Sequence, residues 1–114
     1  AGFGRAHAQR GEALSLAKTV GVDPAVVLAI MSGSAAMSWM LNDRGPRMIR
    51  EDPEVTSAVD IFVKDLGLVV DAGAEAGAAT PLAATALDLF RRAAAAGHGR
   101  EDDSQVVHVF PTLK

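Results

Sequence analysis

The sequence predicts an all-α fold, a compact bundle of about five to six helices forming one domain over residues 1–114. Three observations lead there. Hydrophobic residues make up 49% of the 114 positions while aromatics make up only 4%. Such a core relies on alanine and branched aliphatic groups, and alanine is the best helix former. Apolar residues recur at steps of three and four along most of the chain, the period of a helix with one buried face. Helix starts and stops separate these stretches: Asp23-Pro24 and Thr80-Pro81 pair a capping residue with a proline, and Gly21, Gly33, Gly45, Gly77 and Gly97 stand where the patterns break. No stretch requires a strand.

The elements follow in order. Residues 1–5 are glycine-rich and without period. The pattern is helical from Ala6 to Val20, with Ala6, Ala13, Leu14, Ala17 and Val20 on one face. After the Gly21 stop, Val26, Val27, Ile30 and Met31 give the next helix its apolar side. A short helix spans residues 38–42, and Gly45-Pro46 ends it. Residues 47–56 read as irregular, with Asp52-Pro53 as a turn. The longest helix then runs from about Ser57 to about Gly77. At 100° per residue, Val59, Phe62, Val63, Leu66, Val69, Val70 and Gly73 share one face, and Asp60, Lys64, Asp71 and Glu75 share another. Ile61, Leu68 and Ala72 form a second apolar strip. A helix apolar on two sides is expected to be gripped on two sides, which leaves Asp65 at least partly buried. Leu82, Ala86, Leu89, Phe90 and Ala93 face the core from the following helix, which stops at Gly97-His98-Gly99. Asp102 or Asp103 caps a last turn or two through Val106, Val107 and Phe110, closed by Pro111.

Composition excludes several function classes. A net charge of −3 without a dense Lys/Arg cluster leaves no nucleic-acid footprint. Without cysteine there is neither a disulfide framework nor a thiolate metal site. No apolar run has the length of a membrane span, and no apolar signal segment precedes the first helix. The expectation is a soluble, cytoplasmic protein.

Individual motifs point weakly to chemistry. Gly2-Phe-Gly4 lacks the third glycine and the flanking strand of a dinucleotide turn. His7, His98 and His108 include no i, i+4 pair, so no metal site is expected. Ser32, Ser34 and Ser38 have no His–acid set beside them. Glu101-Asp102-Asp103 reads as charge favouring a helix start. Trp39, with Met37 and Met40, reads as core. Arg44 and Arg47 could hold a phosphate or carboxylate, but solvated loop charges are the preferred reading. Lys64 and Asp65 are harder to dismiss. An ordinary Asp60–Lys64 surface pair, with Asp65 bridging to a neighbouring helix, competes with a role for both in a cleft.

The segment Ser57-Ala-Val-Asp-Ile-Phe-Val-Lys-Asp-Leu-Gly-Leu-Val-Val-Asp71 resembles the central helix of the C-terminal domain in the β-hydroxyacid dehydrogenase family. Other pieces agree in order: Glu12-Ala-Leu-Ser-Leu-Ala17, Gly21-Val-Asp-Pro24, Ser38-Trp-Met-Leu-Asn-Asp-Arg44, Pro81-Leu-Ala-Ala-Thr-Ala-Leu87 and Ala96-Gly-His-Gly-Arg-Glu-Asp-Asp-Ser104. The resemblance is greatest to the L-threonate dehydrogenase branch. It implies a helical domain like those of 6-phosphogluconate and 3-hydroxyisobutyrate dehydrogenases, which work with an N-terminal Rossmann domain absent here. It implies that Lys64 contacts NAD or NADP and that Asp65, with Asn42, lies on the substrate side. The substrate would be a small hydroxy acid such as L-threonate or 3-hydroxyisobutyrate. The catalytic lysine of the family would fall before Ala1. The expectation is therefore no catalytic residue here, no cofactor bound by the chain alone and no activity alone. A homo-oligomer, such as a dimer, through helical faces is expected. The competing function is a stand-alone helical dimerisation module.

Overall fold

A computed structural model describes residues 2–51 and 53–110, with side chains from residue 11 onward. Five α-helices follow one another: α1 (Gly2–Thr19), α2 (Pro24–Ser32), α3 (Trp39–Ile49), α4 (Val59–Ala76) and α5 (Pro81–Ala93). A π-helical turn (Ala94–His98) and a 3-10 segment (Asp103–Val109) complete the fold. The described residues contain no strand, only one isolated antiparallel bridge, between Ala58 and Asp102. The all-α expectation holds. The Asp52 half of the expected turn and Pro111 lie outside the described residues, as does the side chain of Ala6.

Local chemistry accounts for most boundaries. Asp23 accepts a hydrogen bond from the Ala25 N–H and Pro24 opens α2, because a proline at the first position gives up no helical bond. Gly77 ends α4 at φ 72°, in the left-handed region that costs a residue with a Cβ about 1–2 kcal/mol. α1 starts earlier than the periodicity indicates, at Gly2.

Phe62, near the start of α4, stacks on Phe90, near the end of α5, with ring centroids 5.1 Å apart. At the other end, a Cβ on Gly73 would meet Thr80 at 2.8 Å. The two helices therefore run antiparallel in close contact. α1 packs on α2, α3, α5 and the 3-10 segment, and α4 on α5, the π turn and the 3-10 segment. α5 and the 3-10 segment are thus the elements that α1 and α4 share. Leu14, Leu41, Met48, Val59, Leu66, Phe90, Val106 and Val107 are fully buried there.

Four expectations change. α3 continues through Gly45-Pro46 to Ile49. The local stop signal loses because Met48 is fully buried and a Cβ at Gly45 would lie 2.4 Å from Leu28 Cδ1. α2 crosses α3 at that glycine, and the burial beyond it outweighs one lost helical bond. In α2 it is Leu28 that is buried, while Val26 and Ile30 are exposed. In α5, Leu82 is exposed and Ala83 and Leu87 join the core. The main face of α4 is buried as expected, but Ile61, Leu68 and Ala72 are exposed, so the described residues grip α4 on one side.

Candidate functional site

Lys64 and Asp65 lie side by side near the middle of α4, and both are exposed. The expected partial burial of Asp65 is not found. The strip next to it was to be covered, and Ile61 and Leu68 instead stand 47% and 59% exposed. Among the described residues neither Lys64 nor Asp65 enters a side-chain hydrogen bond or ion pair. The i, i+4 pair with Asp60 does not form, and Asp65 bridges to no other helix. The result is an ammonium and a carboxylate presented outward between two exposed aliphatic side chains.

Asn42 is also exposed, on the first turns of α3. It follows Trp39 by three residues, so both fall on one helical face. Trp39 was expected in the core. It is 68% exposed, with the Arg44 guanidinium carbon 6.0 Å from its ring centre. Ser38 caps this helix by accepting from the Leu41 N–H at 3.0 Å. α3 and α4 are joined chiefly through elements that pack on both, above all the 3-10 segment.

That junction holds the charges that the sequence leaves unconnected. Arg44 donates through Nε to Asp103 Oδ1 at 2.8 Å and through Nη2 to Asp103 Oδ2 at 3.2 Å, a bidentate arrangement that suits a planar guanidinium. It also pairs with Asp43. Arg47 Nη1 donates to Asp102 Oδ1 at 3.0 Å and to the Glu54 carbonyl at 2.8 Å. Asp102 further accepts from Thr56 N and Oγ1 and from Ser104 N and Oγ. Both aspartates are fully buried. Burial pushes the Asp102 carboxyl toward its neutral form, but the bonds from Ser104 and Thr56 outweigh it and hold the pKa below the usual value. For Arg44, burial acts against the charge, and the bonds and field of Asp103 and Asp43 overcome it, raising the pKa.

The preferred reading of Arg44 and Arg47 as solvated loop charges is therefore overturned, and so is that of Asp102 and Asp103 as a dipole effect alone. Asp102 does cap the 3-10 segment through Ser104 N, as expected. The sequence holds no local signal for this pairing, since the arginines and aspartates lie 55 and 59 residues apart.

The histidines also come together. His98 sits in the π turn beside Gly97 at φ 102°, consistent with a helix stop. Its ring stacks on His108 with centroids 4.0 Å apart and planes 4° from parallel. His98 Nδ1 lies 2.8 Å from Glu101 Oε2, and His108 Nε2 lies 2.9 Å from Gln105 Oε1. His98, Glu101 and His108 offer ligand atoms within 4.8 Å of one another. A metal ion sits in the plane of each imidazole that binds it, however, and two face-to-face rings share no such plane. This arrangement is a stack, and a ring must turn before it becomes a ligand set. The side chain of His7 lies outside the described residues.

No helix among the described residues is long and apolar enough to cross a membrane. The lysine, aspartate and asparagine could contact a ligand but do not enclose one. Among the described residues no glycine-rich turn between a strand and a helix is present to cradle a pyrophosphate.

Comparison with known proteins gives this surface its context. A family model described as NAD-binding of NADP-dependent 3-hydroxyisobutyrate dehydrogenase matches residues 4–110. L-threonate dehydrogenase of Cupriavidus necator is 43% identical over 107 residues, covering 94% of this chain and 36% of that enzyme. L-threonate dehydrogenase of Escherichia coli is 43% identical over 99 residues, covering 87% of this chain and 33% of the enzyme. A crystal structure of 3-hydroxyisobutyrate dehydrogenase from Salmonella typhimurium superposes with a TM-score of 0.89 at 41% identity, covering 94% of this chain and 38% of that one. The chain spans about a third of the length of the curated relatives it matches.

Proposed function

We propose that this chain, which belongs to the 3-hydroxyisobutyrate dehydrogenase family, is the C-terminal helical domain of an NAD- or NADP-dependent dehydrogenase acting on a small hydroxy acid. L-threonate is the favoured substrate and 3-hydroxyisobutyrate the next. The observation that carries the reading is the outward Lys64–Asp65 pair set between exposed Ile61 and Leu68 on α4. Unpaired charges flanked by aliphatic surface suit a wall that a second polypeptide segment completes. The stand-alone dimerisation module is not favoured, because relatives 43% identical are named as dehydrogenases.

NAD(P) suits this surface as one contact among several. Lys64 has three N–H donors and no partner among the described residues, so its ammonium is free to hold a carbonyl, hydroxyl or phosphate oxygen of the cofactor. When bound, the cofactor accepts the hydride of the alcohol carbon. Asp65 accepts hydrogen bonds from substrate hydroxyls. Asn42 donates to a carboxylate or accepts from a hydroxyl. None of the three is assigned the proton transfer, so the domain is inactive alone, and since they do not enclose a ligand it binds no cofactor alone. We further propose a cytoplasmic protein, and a homo-oligomer, since Leu16 on α1, Val20 just after it, and Val26 and Ile30 on α2 are exposed.

A chimera tests this reading. The chain replaces the matching segment of the Cupriavidus necator L-threonate dehydrogenase, and NADH binding and L-threonate oxidation are measured. The chimera should bind NADH and turn over, and the isolated chain should do neither. A folded chimera without activity on any small hydroxy acid, or a chain that binds NADH alone as tightly as the chimera, overturns it.

A further inference from the structure

We infer that residues 99–105 are a clamp that sets α4 against α3, with Asp102 as its positioning residue. The functional consequence rests on the reading of Lys64 and Asn42 above; the clamp itself does not.

Ala58, the residue before α4, gives it no side-chain cap, although the first N–H groups of a helix have no partner within it. Two of them are met from outside. Val59 N donates to the Glu101 carbonyl and Asp60 N to the Gly99 carbonyl, both at 2.9 Å, while Asp103 N returns a bond to the Ser57 carbonyl at 2.7 Å. The approach at Gly99 is close enough that a Cβ there would meet the Asp60 carboxylate at 2.6 Å. The backbone of this segment therefore holds the start of α4.

Its side chains hold α3. Asp103 takes Arg44 in two bonds and Asp102 takes Arg47. Asp102 also accepts from Thr56 N and Oγ1 just before α4. One fully buried carboxylate thus ties an α3 arginine, the approach to α4 and the 3-10 segment together. Asn42 lies two residues before Arg44, and Lys64 lies one turn after Asp60. The spacing between these two surfaces is set through the clamp, since α3 and α4 meet mainly by way of the 3-10 segment. Weakening Asp102 should let α4 shift at its start while the rest of the bundle stays packed.

The test is native-state hydrogen exchange on this chain with Asp102→Asn, and with Arg47→Gln as the second variant should Asp102→Asn not fold. Exchange should rise about tenfold or more at the amides of residues 59–62, while those of α5 and the core of α1 change less than about twofold, measured under conditions of local opening. Equal acceleration across all helices means that Asp102 only contributes to global stability, and overturns the proposal. In the chimera, Asp102→Asn should raise the KM for NAD and for the hydroxy acid while kcat falls less. Should Lys64→Ala leave cofactor binding unchanged while the exchange result stands, the cofactor reading fails and the clamp survives.

Discussion

Asp103→Ala is the most demanding test of how this bundle is held together. Asp103 is fully buried and takes two bonds from Arg44, itself only 8% exposed. Removing one partner of a buried ion pair costs about 3–5 kcal/mol, because the other charge is left uncompensated. Arg44 keeps its contact with Asp43, which places the cost near the lower end, about 3 kcal/mol. Unfolding entropy of roughly 2.1 cal/mol/K per residue gives about 0.24 kcal/mol/K for this chain, so Tm should fall by roughly 12 °C. The double variant Asp103→Ala with Arg44→Met removes both charges and should recover most of the loss, since an apolar replacement of a buried pair is near neutral. Circular dichroism at 222 nm during thermal and urea unfolding measures both. A single variant within about 1 kcal/mol of the parent refutes the reasoning, as does a double variant no better than the single.

Three further outcomes follow from the same geometry. The Asp102 carboxyl has its pKa lowered on folding, so its contribution is fully present above the unfolded value and is lost as pH falls through the folded one. The urea midpoint should therefore hold from pH 8 to 5 and drop below about pH 4, with a shallower drop in Asp102→Asn; an equal acid slope in both proteins counts against this role. Gly77→Ala should destabilise by about 1 kcal/mol because of the positive φ, whereas Gly67→Ala, within α4 and with nothing within 4 Å of the added Cβ, should stabilise by about 0.5–1 kcal/mol. Phe90→Ala, which removes a fully buried ring and its stack on Phe62, should cost about 3–5 kcal/mol in urea unfolding.

Much of this fold is legible locally. The α2 start at Asp23-Pro24, the α4 end at Gly77 and the main buried face of α4 need only capping chemistry and periodicity, and the structure has each. What fails in the sequence is whatever depends on a distant partner. Gly45-Pro46 carries a local stop signal, yet α3 passes through it because Met48 is buried and the two arginines are held by a segment more than fifty residues away. The wheel sees that Ile61 and Leu68 are apolar but not that both stand exposed among the described residues. The His98–His108 stack spans ten residues and a change from π-helical to 3-10 geometry, beyond any helical spacing rule. Of the candidate site, Lys64, Asp65 and Asn42 are identifiable through family resemblance. The aspartates that position their helices are hidden, since adjacent acids before a short helix look like any cap.

The most direct measurement is the affinity for NADH of the chimera and of its Lys64→Ala variant, read by equilibrium dialysis. A hydrogen bond from a charged donor is worth about 1.5–3 kcal/mol, so removing the ammonium should weaken binding by about tenfold or more with the circular dichroism spectrum unchanged. Equal affinity in the two folded proteins contradicts the assignment of this exposed α4 surface to the cofactor.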